Sequence, residues 1–71
     1  MDVTYVQVFH NGKMKEYIFN NLLHGLRWLK VKNVAFDYII VDDETTVTFD
    51  EFDAYFDKVN DFCRKIYGTY Y

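Results

Sequence analysis

Apolar residues, many of them β-branched or aromatic, dominate two segments within residues 2–19, and this pattern predicts a β-hairpin in which neither face is purely apolar. Between its arms, Asn11-Gly12 is the dipeptide that best tolerates the two positive φ angles of a type I′ turn, so we expect His10 to pair with Lys13. On one face of this hairpin the polar residues are confined to a single cross-strand pair, and we expect that face to pack on the core. Its apolar members are Val3, Tyr5, Phe9, Met14 and Ile18.

A helical pattern follows and predicts a first helix over residues 20–31, with Asn20 or Asn21 as its N-cap. Gly25 has no side chain and would let this helix approach the sheet closely, while Trp28 lies on the flank of the helix. Leucines recur at helical spacing and are expected to form the buried stripe: Leu22, Leu26 and Leu29.

A second hairpin is predicted over residues 34–48, in which a turn at residues 42–44 separates a longer strand from a short one. We expect Val41 to pair with Thr46 across this turn. That register predicts two sets of neighbours: Phe36, Tyr38, Ile40 and Val47 on an apolar face, and Asp37, Ile39 and Thr46 on a mixed face.

The last element is a predicted helix over residues 49–67, which begins with a capping box formed by Thr48 and Glu51. Gly68 is its stop signal, and residues 68–71 form a tail. Apolar residues fall within an arc of about 120° at about 100° per residue, and we expect them to anchor the core. They are Phe52, Tyr55, Phe56, Val59, Phe62, Cys63 and Ile66.

The predicted order is therefore ββαββα, an α+β fold. A four-stranded antiparallel sheet with two helices packed on one face would bury the apolar sides of all these elements. The chain has 71 residues, of which 51% are hydrophobic and 21% aromatic, which is sufficient for a single small domain, 1–71.

Composition argues against the common catalytic chemistries. The chain has no serine, one cysteine and two histidines without metal-ligand spacing, and its three glycines are isolated from one another. We therefore expect a protein that is not an enzyme and that uses no cofactor or metal. The absence of a long apolar run or a leader predicts a cytoplasmic protein that does not enter membranes.

One segment resembles the second half of an EF-hand calcium loop, running from Asp42 to Phe52 with Glu51 as the last ligand. The resemblance fails at two positions, because Ile40 stands where the first ligand belongs and Thr45 where glycine belongs. Calcium binding is not expected.

Negative charge is concentrated in the second half of the chain. Between Lys32 and Lys58 there are eight acidic residues and no basic one. On the last helix, four aspartates span an arc of only about 80°, with axial gaps of about 4.5–6 Å. These residues, which we call the acidic stripe, are Asp50, Asp53, Asp57 and Asp61. The turn before this helix adds three further acids, the acidic turn: Asp42, Asp43 and Glu44.

Such a row is spaced much like the phosphates of a nucleic-acid strand, and like charges at i, i+4 cost a helix about 0.2–0.5 kcal/mol each. We interpret the row as a nucleic-acid mimic that occupies a basic surface of a host protein. Part of it also suits the helix dipole, so a solvated helix face is an equal interpretation. Residues encoded by A/T-rich codons dominate the chain, which is typical of a small phage-encoded accessory protein.

Two alternatives use other surfaces. Exposed aromatic and apolar residues predict a protein-interaction module or a homodimer through Trp28, Arg27 and Val31 or through the C-terminal tyrosines Tyr67, Tyr70 and Tyr71. Basic residues of the first half predict a weak nucleic-acid binder: Lys13, Lys15, Arg27, Lys30 and Lys32, with Tyr17 and Trp28 as stacking groups.

Overall fold

A computed structural model of the chain describes residues 3–67, with side chains described through Lys65. The predicted ββαββα order is confirmed, and the four strands form one antiparallel sheet in the order β2-β1-β3-β4. The elements are β1 (Thr4–His10), β2 (Lys13–Phe19), α1 (Leu22–Val31), β3 (Tyr38–Val41), β4 (Thr45–Thr48), a short 3-10 turn (Phe49–Glu51) and α2 (Phe52–Tyr67).

The turn of the first hairpin is confirmed, because Asn11 and Gly12 have φ angles of +52° and +76° and His10 pairs with Lys13. The predicted core face of this hairpin is wrong. Val6 and Val8 on the opposite face are buried. The expected core residues are instead half-buried (Val3, Phe9) or exposed (Tyr5, Met14, Ile18).

The reason lies in strand pairing that is distant in sequence. Both faces of the hairpin carry apolar residues, so the hairpin alone has no strong preference. Pairing of β1 with β3 places Val6 opposite Val41 and Val8 opposite Ile39, and all four side chains are buried. The central pair of strands therefore selects the buried face.

The second hairpin differs from the prediction by one residue. Val41 pairs with Thr45 rather than with Thr46. Asp42 and Asp43 both have positive φ, +50° and +57°, and form a tight type I′ turn. Pairing of Val41 with Thr46 would have required a connection that is one residue longer.

A one-residue slip exchanges the faces of a strand. Ile39 therefore lies opposite Val47, and both are buried, whereas Tyr38 and Ile40 point to the other face of the sheet. Phe36 is buried as predicted, but it precedes the strand, which begins at Tyr38 rather than near residue 34.

The first helix begins where expected, because the Asn21 Oδ1 atom accepts a hydrogen bond from the His24 backbone N–H at 2.7 Å. Leu26 and Leu29 are buried as predicted, but the third fully buried leucine is Leu23, while Leu22 is half-buried. The expected close approach at Gly25 is confirmed: a Cβ atom there would lie 2.5 Å from Cδ2 of Phe19.

The capping box of the last helix is confirmed, since the Glu51 carboxylate accepts hydrogen bonds from the Thr48 N–H and hydroxyl at 3.2 and 3.0 Å. The first half of α2 packs as predicted, but Phe62 and Cys63 in the second half do not, and the side chain of Ile66 lies outside the described part of the chain. Phe52 is buried, but Phe62 is 62% exposed and Cys63 is half-buried. A helix of 16 residues is about 24 Å long and a strand of 4 residues about 13 Å, so α2 extends beyond the strand it follows.

Both helices pack on the same face of the sheet. The core joins Leu26 and Leu29 of α1 and Phe52 of α2 to the inward residues of β1, β3 and β4. The opposite face of the sheet has no element over it in the described part of the chain. On that face the Phe9 and Tyr38 rings stack with centroids 4.7 Å apart.

Candidate functional site

The acidic stripe lies on the outer side of α2 and of the 3-10 turn before it, because Asp50 belongs to that turn rather than to the helix as predicted. Asp50, Asp53, Asp57 and Asp61 are all exposed, and the opposite side of the helix contributes Phe52, Tyr55, Phe56 and Val59 to the core or its margin. Packing of those side chains fixes the rotation of the helix, and it therefore holds the stripe toward solvent.

One member of the stripe has a partner in α1. The Asp53 Oδ1 atom lies 3.3 Å from Lys30 Nζ, and the same ammonium group lies 4.8 Å from the centre of the Phe56 ring. Both charged side chains are largely exposed, so this ion pair is worth no more than about 1 kcal/mol. It nevertheless neutralises part of the charge at the N-terminal end of the stripe.

The acidic turn is built around Asp42. Its Oδ1 atom accepts a hydrogen bond from the Tyr5 N–H at 2.8 Å, and its own N–H donates to the Tyr5 carbonyl at 2.8 Å. Burial raises the pKa of the Tyr55 hydroxyl, and the nearby Asp42 carboxylate raises that pKa further. Asp42 therefore serves the fold, while Asp43 and Glu44 are exposed.

The acidic stripe and the acidic turn lie on different sides of α2. The acidic turn lies near Tyr55, on a side of α2 that packs toward the core, whereas the stripe is on the outer side. Among residues 3–65, five carboxylates of the predicted site make no hydrogen bond or ion pair: Asp43, Glu44, Asp50, Asp57 and Asp61. These five side chains are exposed and are the members of the predicted site that are available to a partner.

The residues of the proposed alternative interface on α1 differ in exposure. Trp28 is half-buried, with its ring centroid 5.1 Å from that of Tyr17 and 5.7 Å from that of Phe19. Arg27 is exposed, and Val31 is 81% exposed. The side chain of Tyr67, and Tyr70 and Tyr71 as a whole, lie outside the described part of the chain.

Sequence reasoning missed one surface, which we call the open sheet face. Four of the seven large apolar residues that are exposed in the described part of the chain lie on it. The sequence did contain a sign of this surface, because apolar residues occur on both sides of the first hairpin. The face consists of Tyr5, Gln7, Phe9, Met14, Glu16, Ile18, Tyr38, Ile40, Thr46 and Thr48.

The described residues contain no cluster of side chains suited to hold a metal ion. His10 Nδ1 lies 3.7 Å from Asp37 Oδ1. Asp37 also accepts a hydrogen bond from the Asn11 N–H at 3.1 Å, so the pair closes the first hairpin against the start of β3. Over the same residues, neither helix has the length and apolarity needed to cross a bilayer.

Comparison with known proteins identifies no relative: no family model, no curated protein and no solved structure matches the chain.

Proposed function

We propose that this protein is a non-enzymatic inhibitor that binds a partner protein and occupies its basic nucleic-acid-binding surface. The observation that carries the proposal is the exposed row of aspartates on α2, held outward by the aromatic inner side of the same helix. A rigid row of carboxylates presents charge to lysines and arginines without the entropy cost of ordering a flexible acidic tail.

The spacing of the row supports this proposal. Within α2, the axial gaps from Asp53 to Asp57 and from Asp57 to Asp61 are about 6 Å each. A gap of this size is similar to the distance between neighbouring phosphates along one nucleic-acid strand. Asp50 precedes this helix, in the 3-10 turn. The pairs Asp53–Asp57 and Asp57–Asp61 each cost the helix about 0.2–0.5 kcal/mol. Lys30 offsets this repulsion only at Asp53, so stability alone does not account for Asp57 and Asp61.

The biological setting is part of the proposal. An acidic protein with a single cysteine, in which amino acids encoded by A/T-rich codons are frequent, fits a phage-encoded protein that acts in the cytoplasm of its host. The expected partner is a host protein that binds DNA or RNA, and long-range attraction between opposite charges would speed the encounter.

A displacement experiment tests the proposal. A bacterial lysate is bound to immobilised double-stranded DNA at low salt, and the column is then washed with the purified protein. We expect the wild-type protein to release a DNA-bound protein, and we expect added salt to weaken the complex of the two.

Two matched variants make the test specific. Asp57→Asn/Asp61→Asn removes the charge with little change of shape, and Asp57→Glu/Asp61→Glu retains the charge. The proposal predicts release by the Glu variant and not by the Asn variant, with circular dichroism showing that both are folded. Equal release by all three proteins, or by none, would contradict it.

A further inference from the structure

The open sheet face presents apolar side chains to solvent on the central strands of the fold. Tyr5 is 44% exposed and Tyr38 is 37% exposed, while Met14 and Ile18 on the neighbouring edge strand are more exposed still. Six of the ten residues of this face are apolar or aromatic, and a large exposed apolar patch bordered by polar residues on a small domain usually marks an interface. We infer that this face is the interface of a homodimer, in which a second copy of the chain covers it.

Charge argues against nucleic acid and anionic membranes as the occupant. The open sheet face carries one charged side chain, Glu16, and no lysine or arginine. Lys13 and Lys15 alternate with Met14 and Glu16 along β2, so they point to the other side of the sheet. Phosphates approaching this face would meet a carboxylate and no compensating cation.

The strand register makes the face complementary to itself. A two-fold axis that runs along the strands, between β1 and β3, places each β1 residue against the β3 residue with which it pairs. Phe9 then meets the second copy's Tyr38, and Gln7 meets its Ile40. On the outer strands, Glu16 meets Thr46, whose hydroxyl can donate a hydrogen bond to the carboxylate.

The alternative axis, which runs across the strands through Gln7 and Ile40, places Glu16 against Glu16 of the second copy. Like charges in contact across an interface are strongly unfavourable. The geometry therefore favours the axis along the strands, in a face-to-face dimer whose two sheets keep their strands within about 30° of each other.

The available area is sufficient. A standard interface buries about 800 Å² per partner, which is roughly 15% of the 5196 Å² surface of this protein. Two strands of 7 residues and two of 4 residues, spaced about 4.8 Å apart, give the open sheet face a flat extent of about 350 Å², and its protruding side chains increase the accessible area beyond this value. In such a dimer both helical layers face outward, so the acidic stripe of each copy stays exposed. The inference does not depend on the function proposed for the stripe.

Sedimentation equilibrium tests the dimer directly. We expect the wild-type protein to sediment at twice its chain mass of 8.6 kDa at high micromolar concentration. Tyr38→Lys places two charges at the centre of the interface and is expected to weaken dimerisation at least about tenfold. Ile18→Lys changes a residue of the edge strand β2, where it disturbs the monomer less than Tyr38→Lys does. It should also weaken dimerisation.

Val31→Lys is the matched control, because Val31 is equally apolar and 81% exposed but lies on α1, away from the open sheet face. It should leave the dimer unchanged. Far-UV circular dichroism identifies any variant that fails to fold. A wild-type protein that remains monomeric at millimolar concentration would overturn the inference. So would a dimer disrupted by Val31→Lys but not by Ile18→Lys, or a labelled single-stranded oligonucleotide that binds the open sheet face.

Discussion

The Asp42 carboxylate accepts a hydrogen bond from the backbone N–H of Tyr5 at 2.8 Å, and it thereby joins the β3–β4 turn to the beginning of β1. At the other end of β3, the Asp37 carboxylate accepts a hydrogen bond from the Asn11 N–H. The two aspartates that flank β3 therefore hold both ends of β1. Two acids in the most negative part of the chain have a structural role that is independent of any partner.

We expect Asp42→Ala to lower the free energy of unfolding by about 1–2 kcal/mol more than Asp43→Ala, because a hydrogen bond to a charged group is lost. Both aspartates have positive φ, so the two substitutions share the same backbone strain and their difference isolates the hydrogen bond. Urea unfolding followed by circular dichroism measures it. Equal losses would show that the bond adds nothing to stability.

Gly25→Ala should destabilise the protein by about 1–3 kcal/mol, because an added methyl group overpacks the contact between α1 and Phe19. This loss would exceed the gain of about 1 kcal/mol that alanine brings to a helix. A double-mutant cycle with Phe19→Leu checks the cause. The leucine side chain is smaller than the phenylalanine ring and should relieve the clash. The double variant should therefore lose less free energy of unfolding than the sum of the losses in the two single variants.

Phenylalanines at the two ends of α2 should differ in their contribution to stability. Phe52→Ala is expected to cost about 3–5 kcal/mol, because Phe52 is buried against Phe36. Phe62→Ala should cost less than about 1 kcal/mol, since that side chain is largely exposed. Thermal unfolding of both variants compares two identical substitutions in one helix. Similar losses of stability in the two variants would mean that Phe62 is buried, contrary to the structure.

Alkaline pH should destabilise the protein through Tyr55. Its folded-state pKa is raised above the ordinary value of 10.0, first by burial and then by Asp42, so the folded protein favours the neutral hydroxyl. Stability is therefore complete below pH 10 and falls as the pH rises from that value through the folded-state pKa. Absorbance titration of tyrosinate should show one late-titrating group that is missing in Tyr55→Phe. Asp42→Asn should lower that group's pKa, and an unchanged titration in Tyr55→Phe would contradict the assignment.

Part of the candidate site was predictable. Helical periodicity alone indicated that Asp50, Asp53, Asp57 and Asp61 share one face, because residues three and four apart are neighbours on any helix. The pairing of Asp53 with Lys30 and of Asp42 with Tyr5 was not predictable. Those partners are far apart in sequence, and only the packing of α2 on α1 and of β1 on β3 brings them together.

The order of the elements, the Asn11-Gly12 turn with its register, and the caps at Asn21 and Thr48 follow from the amino-acid sequence. Each of these depends on local conformation and on hydrogen bonds between near neighbours. The buried side of the first hairpin, in contrast, depends on contacts between distant strands. Both sides are apolar, and the choice required β3 to pair with β1 and place Ile39 and Val41 beside Val8 and Val6. The same pairing left the aromatic side of the sheet facing outward.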